Sequence, residues 1–146
     1  MYKKILVPLD GSKRAETILQ HVEELALKYQ AEVFLLQVVE PQIVYASPHG
    51  FPIVNIEELS YEAQEKEAVA YLSGLEAKLR KKNIEAKSVI EYGQVAHSII
   101  KVARREEIDL IAMASHGRTG LSHVFYGSVA ASVLHLIDRP LLLVRA

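Results

Sequence analysis

Five short apolar runs alternate along this chain with segments of helical periodicity, and this alternation restricts the fold more than any other feature of the sequence. The runs are continuous rather than alternating between apolar and polar residues, which is typical of strands covered on both faces. They occupy residues 3–9, 31–39, 85–92, 108–114 and the closing PLLLVRA. The helical patterns begin at Ala15 and then cover about 56–82, 95–105 and 128–137.

This order of elements predicts an α/β fold with an open, mostly parallel five-stranded sheet and helices on both of its faces. With the common strand order 3-2-1-4-5 the architecture is Rossmann-like, and we expect residues 1–146 to form a single domain. The winding then reverses between the first and fourth strands, where open sheets bind ligands beyond the carboxyl ends of the strands. Two polar connections meet there, PLDGSK from Pro8 and ASHGRTGLSHVFYGS at 114–128.

Charge and cysteine content exclude several classes of protein. The chain has 17 Lys plus Arg against 18 Asp plus Glu, so it lacks the basic field that binds nucleic acid through phosphates. It has no cysteine, which excludes disulfides, thiolate catalysis and Cys-type zinc sites and is typical of a reducing compartment. The first apolar run is too short for a signal peptide or a membrane span. We therefore expect a cytoplasmic protein with neither a nucleic-acid nor a membrane partner.

Asp10 directly follows the first strand, where its carboxylate could accept hydrogen bonds from ribose hydroxyls or from the edge of a base. An Asp before GSK can equally cap the helix that begins near Lys13. The segment DGSK lacks the spacing of a P-loop, which excludes that mechanism of hydrolysis. The residue types alone leave both roles of Asp10 open.

The second connection has the composition of an anion-binding loop. Gly117 and Gly127 are separated by nine residues, and Ser128 follows at a predicted helix start, where backbone N–H groups and the helix dipole favour a phosphate. The alternative is a surface loop closed by an N-capping serine. His116 and His123 have no neighbouring Asp, Glu or Cys to complete a metal site, so the sequence predicts no metal held by the protein itself.

Three segments carry a resemblance to a known family: MYKKILVPLDGS at the start, ASHGRTGLSHVFYGSVAASVL near the end, and the closing RPLLLVRA. They resemble the universal stress protein family, and the likeness covers essentially the whole chain. The ATP-binding branch of that family has a pattern of Gly, two residues, Gly, nine residues, then Gly and Ser or Thr. The sequence matches it at Gly117, Gly127 and Ser128, whereas Ala114 stands at the position of the first glycine.

The resemblance implies ATP as the ligand, with Mg²⁺ or Mn²⁺ held mainly by the phosphates. It also implies which residues of this chain meet the nucleotide. Asp10 would contact the adenosine part, and Pro8 and Val38 would line the adenine slot with Met113 beside it. The phosphates would be held by Gly117, Gly127, Ser128 and the N–H of Val129, with His116 alongside. Leu9, Ala114 and Arg118 complete the set of implied contacts.

The function implied by the resemblance is that of a stress-response protein that regulates by binding ATP, together with a protein partner that the sequence does not identify. The chain has no recognisable nucleophile and base pair and no lysine in the phosphate loop, so we expect at most slow ATP hydrolysis. One rival is a dimeric interaction module that binds no nucleotide, and the residue that favours it is Ala114 at the position of the first glycine. An FMN-binding electron carrier is disfavoured because DGSKRAE has few hydroxyls for a phosphate loop.

The closing segment PLLLVRA predicts how the chain assembles. In the expected strand order its four consecutive apolar residues lie at the edge of the sheet, where an uncovered strand is an aggregation hazard. Pairing with the same strand of a second copy covers that edge, and the resembled family commonly dimerises in this way, so we expect a homodimer. The alternative is shielding within one chain by a helix or by residues 40–55. This segment has three prolines, and its composition is open to three interpretations: a lid over the nucleotide, a partner-binding surface, or a loop pinned onto the domain by Ile43, Val44 and Phe51.

Overall fold

A computed structural model describes residues 1–40, 56–115 and 127–146, and within these ranges the predicted strands and helices are present. The strands are β1 (Lys4–Leu9), β2 (Glu32–Val39), β3 (Ala86–Tyr92), β4 (Leu110–Ala114) and β5 (Leu141–Val144). The helices are α1 (Leu19–Tyr29), α2 (Ile56–Lys81), α3 (Val95–Arg105) and α4 (Ser128–Leu136), and a 3-10 turn at Ala15–Ile18 precedes α1. None of the helices in the described ranges is both long and apolar enough to cross a membrane.

The five strands form one parallel sheet in the order β3-β2-β1-β4-β5, which confirms the predicted fold class and strand order. β1 lies at the centre, where Leu6 is in register with Phe34 of β2 on one side and with Ile111 of β4 on the other. The chain runs outward from β1 to β3 and then returns to β4, so the winding reverses between β1 and β4. The carboxyl ends of these two neighbouring strands therefore lie side by side.

Alternate residues of the strands enter two apolar clusters, one on each face of the sheet. On the first face Val7 packs in a cluster with Val22 of α1 and Leu72 of α2. On the second face Leu6 packs in a cluster with residues of α3 and α4, among them Ile99. Because helices cover both faces, the strands need apolar side chains on both, which explains their continuous apolar sequence.

Two elements start at least two residues later than predicted, each for a local reason. β4 begins two residues later than expected because Glu107 takes a left-handed φ of 54° and the Ile108 N–H donates to the Ala103 carbonyl oxygen at 2.9 Å, so that Ile108 completes the end of α3. The first helix begins as a 3-10 turn, and the Ala15 N–H at its start donates to Ser12 Oγ at 3.2 Å. The expected lid or partner-binding segment lies outside the described residues, apart from Glu40.

Candidate functional site

The end of β4 and the start of α4 are joined by a backbone hydrogen bond at the carboxyl end of the sheet. β4 ends at Ala114, and the next residue, Ser115, is 4% exposed. Its carbonyl oxygen accepts a hydrogen bond from the Gly127 N–H at 2.8 Å. The start of α4 therefore lies directly beside the end of β4, in the row of strand ends that also includes Asp10 after β1.

The first turn of α4 presents backbone donors at this edge. Gly127 is the N-cap, with φ −60° and ψ 158°, and its carbonyl oxygen accepts the first helical hydrogen bond, from the Ala131 N–H at 2.9 Å. Ser128 and Val129 follow in the first turn, where N–H groups have no carbonyl partner within the helix. The Gly127 N–H is already bonded to Ser115, so a phosphate at this helix end would meet the donors of Ser128 and Val129.

The conformation of Gly127 also shows what the glycine can contribute. A φ of −60° is open to any L-residue, so the backbone does not require glycine at this position. With its N–H engaged and its φ ordinary, what distinguishes Gly127 from other residues is the space that its missing side chain leaves.

Three residues predicted to surround adenine lie on one face of the sheet. Val38 and Met113 belong to the α3/α4 side, where Met113 is buried in the apolar cluster and Val38 packs against it. Continuing the register of β1 and β4 by one side-chain repeat pairs Pro8 with Met113. The fold therefore brings Pro8, Val38 and Met113 together near the carboxyl ends of three adjacent strands.

Two other predicted residues, Leu9 and Ala114, point to the opposite face. Leu9 is 5% exposed and packs in the α1/α2 cluster, so its side chain is part of the core. Ala114 follows Met113 in β4, and its methyl group therefore projects away from the face that carries Met113. Ala114 is in register with Val144 and is not among the described residues with positive φ, so its alanine causes no backbone strain.

Asp10 closes a tight turn with Ser12. Its Oδ1 accepts hydrogen bonds from the Ser12 N–H at 2.9 Å and from Ser12 Oγ at 2.6 Å. Gly11 between them has a φ of 86°, a conformation that glycine adopts without strain. Ser12 Oγ, in turn, accepts the Ala15 N–H at 3.2 Å at the start of the 3-10 turn.

Close to Asp10, the hydroxyl of Tyr71 from α2 is buried among carboxylates. Burial raises the pKa of Tyr71 far above its ordinary value, and the negative charges of Glu16 and Asp10 raise it further. No described residue meets ordinary hydrogen-bond geometry at this hydroxyl, and Oε1 of Gln37 in β2 is also buried without a partner. Neither residue stands out in the sequence, because each has the spacing of an ordinary helix or strand position.

We expect Tyr71→Phe to leave the free energy of unfolding unchanged or to raise it by up to about 1 kcal/mol, because it keeps the ring and removes a buried hydroxyl that has no partner of ordinary hydrogen-bond geometry among the described residues. Urea denaturation followed by circular dichroism measures the change. Tyr29→Phe, which also keeps the ring in its edge-to-face contact with Tyr2, is the matched control. A loss above about 1 kcal/mol in Tyr71→Phe alone would show that this hydroxyl does bond to the Glu16 carboxylate.

Part of the predicted site lies outside the described residues. His116, Gly117 and Arg118, together with His123, fall in the connection 116–126. Within the ranges that the structure describes, no group of three or more His, Asp, Glu or Cys side chains could hold a metal ion.

Comparison with known proteins gives the same family over nearly the whole sequence. The profile of the Universal stress protein family matches residues 1–145. Universal stress protein MJ0577 of Methanocaldococcus jannaschii is 32% identical over 155 residues, which cover 99% of this chain and 96% of that protein. Universal stress protein YxiE of Bacillus subtilis is 31% identical over 153 residues, covering 99% of this chain and 100% of the relative.

Solved structures agree with the sequence relatives. The structure of MJ0577 superposes with a TM-score of 0.83 at 32% identity, over 100% of this chain and 97% of its own. Two more distant structures share the fold. One is a universal stress protein in complex with cAMP, with 17% identity and a TM-score of 0.68, covering 99% of this chain and 97% of its own. The other is an Arabidopsis thaliana family member with AMP bound, with 16% identity and a TM-score of 0.67, covering 98% of this chain and 91% of its own. On the match of the family profile and of these relatives along its length, the chain belongs to the universal stress protein family.

Proposed function

We propose that this protein binds ATP and acts by binding rather than by efficient turnover, as a regulatory protein of the stress response in the cytoplasm. The observation that carries the proposal is the meeting of three features at the reversal point of the sheet. These are the carboxylate of Asp10, the first turn of α4, and the sheet face that carries Pro8 and Met113. Ligands of open α/β sheets occupy this position.

The chemical groups at the carboxyl ends of β1 and β4 suit a nucleotide better than a simple anion. The start of α4 offers backbone N–H groups and the positive end of the helix dipole, which favour a phosphate. The partly buried Pro8 and Val38 side chains offer an apolar surface for a base, and an acceptor-only carboxylate at Asp10 suits hydroxyl or amino donors. Family structures with bound AMP and cAMP support the adenine nucleotide class.

We propose that Mg²⁺ or Mn²⁺ enters with the nucleotide and is held mainly by its phosphates. The residues proposed to meet the phosphates are Gly127, Ser128 and Val129, joined by His116, Gly117 and Arg118 from the connection before α4. Because residues 114–129 contain no lysine, we propose at most slow hydrolysis. Val38 and the backbone at Leu9 and Ala114 complete the proposed site.

Calorimetry on the folded protein tests the proposal, with binding expected at micromolar strength. Mass spectrometry of gently purified protein, searching for carried-over nucleotide, is an independent check and also distinguishes adenine nucleotides from FMN. If the folded protein gives no heat with ATP, ADP or AMP and carries no nucleotide, the proposed function is wrong.

We expect Asp10→Ala to weaken ATP binding by about 1–3 kcal/mol, because it removes an acceptor for the adenosine part in a partly desolvated slot. The free energy of unfolding should change less than the binding free energy. Asp109→Ala is the matched control: Oδ2 of Asp109 accepts the N–H groups of Lys3 and Lys4 at 2.8 and 2.9 Å, at the amino end of β1. This control should lower stability and leave affinity unchanged, whereas Asp10→Ala with intact affinity would assign Asp10 a purely structural role.

A second candidate is a dimeric interaction module without nucleotide, and the observation that favours it is the composition of the two sheet edges. β5 is an edge strand of four apolar residues, all of them only partly buried. The opposite edge, β3, carries Lys87 and Glu91, charges that discourage pairing. We propose a homodimer through β5 in either case, so nucleotide binding rather than dimerisation separates the two functions.

We also propose that residues 1–146 form one domain, because both apolar clusters are built on the same central strands. The identity of a regulatory protein partner is a separate question, which capture from stressed cells would address.

A further inference from the structure

The turn at the end of β1 fixes the direction of the Asp10 carboxylate. Both donors of Ser12, its N–H and its hydroxyl, converge on the same oxygen, Oδ1, at 2.9 and 2.6 Å. The positive φ of Gly11 reverses the chain so that both donors reach this oxygen. Hydrogen bonds to an ionised acceptor are shorter and stronger than those between neutral groups, so the carboxylate is held firmly.

The Ser12 hydroxyl is itself held in place from the other side. Its oxygen accepts the Ala15 N–H at 3.2 Å, where the 3-10 turn begins. A hydroxyl can accept through a lone pair and still donate its one hydrogen, and the hydrogen of Ser12 goes to Asp10. A chain of hydrogen bonds thus runs from the 3-10 turn through Ser12 to the Asp10 carboxylate.

We propose that Ser12 is a positioning residue for the nucleotide, acting through Asp10; this inference rests on the proposed function. Both hydrogen bonds from Ser12 go to Oδ1, one of the two carboxylate oxygens. By fixing one oxygen, Ser12 fixes the plane of the carboxylate and the direction of its remaining lone pairs. The ligand then meets an acceptor that is already oriented, and binding does not have to order that side chain.

The test is a double-mutant cycle on ATP affinity, measured by calorimetry. Ser12→Ala should weaken binding about three- to tenfold, the cost of losing one positioned hydrogen bond. In an Asp10→Ala background the same change should alter affinity less than about twofold, since no carboxylate is left to position. Ser12→Thr keeps the hydroxyl and should restore affinity to within about twofold of wild type.

Each outcome distinguishes positioning from a purely structural role. The inference would be overturned if Ser12→Ala bound ATP like wild type, or if Ser12→Ala weakened binding as much in the Asp10→Ala background as in the wild type. It would also be overturned if Ser12→Thr bound ATP no better than Ser12→Ala. Thermal melting of every variant separates loss of the 3-10 turn from loss of affinity. A wild-type protein that binds no nucleotide would instead refute the proposed function itself.

Discussion

Replacing Gly127 with valine should abolish detectable ATP binding while the protein remains folded. The φ of −60° at Gly127 suits any L-residue, so valine meets no backbone barrier. The cost to the helix is that of a poor N-cap residue, about 1 kcal/mol. The cost to binding is larger, because the branched side chain would fill the space beside the first turn of α4 that the phosphates are proposed to occupy.

Calorimetry and thermal melting on the same samples check this expectation. Gly74→Ala is the matched glycine control, because nothing lies within 4 Å of the added Cβ on the exposed side of α2. It should bind ATP normally and gain roughly 0.5–1 kcal/mol of stability, as expected for glycine replaced in a helix. If Gly127→Val binds ATP as well as wild type does, the phosphates do not lie at this helix end.

A companion variant examines the departure of this chain from the family pattern. Ala114→Gly should bind ATP at least as tightly as wild type, because it restores the family residue at the end of β4. The ordinary backbone of Ala114 and the direction of its methyl group both argue that alanine itself is tolerated. A large loss of affinity in Ala114→Gly would mean that the motif has been placed on the wrong residues.

The double change Leu143→Pro and Val144→Lys should convert the proposed homodimer into a folded monomer. The carbonyl oxygens of Pro140, just before β5, and of Val144 accept the N–H groups of Ile111 and Ser115, so the backbone groups of even-numbered residues along β5 face β4. Leu143 lies between them in the alternation, and its N–H faces the open edge. Proline there removes a donor from the edge without breaking the ladder to β4, and lysine adds a charge that discourages pairing.

Light scattering at tens of micromolar measures the effect against the chain mass of 16.3 kDa. Leu134→Lys is the control, since Leu134 is 42% exposed on α4 and the variant adds the same charge away from β5. It should remain dimeric. A wild-type mass near 16.3 kDa would rule out a stable dimer, and a folded double variant that is still dimeric would place the interface elsewhere.

The sequence alone predicted the class of fold and the order of the strands. This was possible because burial on both faces imposes a continuous apolar run on each strand, and β2 at Glu32–Val39 and β3 at Ala86–Tyr92 each begin within one residue of the predicted start. It also indicated the edge at which polar connections meet, since strand order and the position of PLDGSK together determine it. Boundaries were less predictable where a local turn competes, as at Ile108, whose N–H completes α3.

Only the tertiary structure decided how individual groups at that edge are used. The Gly127 N–H is bonded to Ser115 because β4 and α4 end and begin side by side, which no spacing in the sequence states. Tyr71 comes near Asp10 because α2 packs across the sheet face that carries the end of β1. Sequence patterns record the period and polarity of each element, whereas hydrogen-bond partners depend on how distant elements pack, and that packing settles which donors at this edge are left for a ligand.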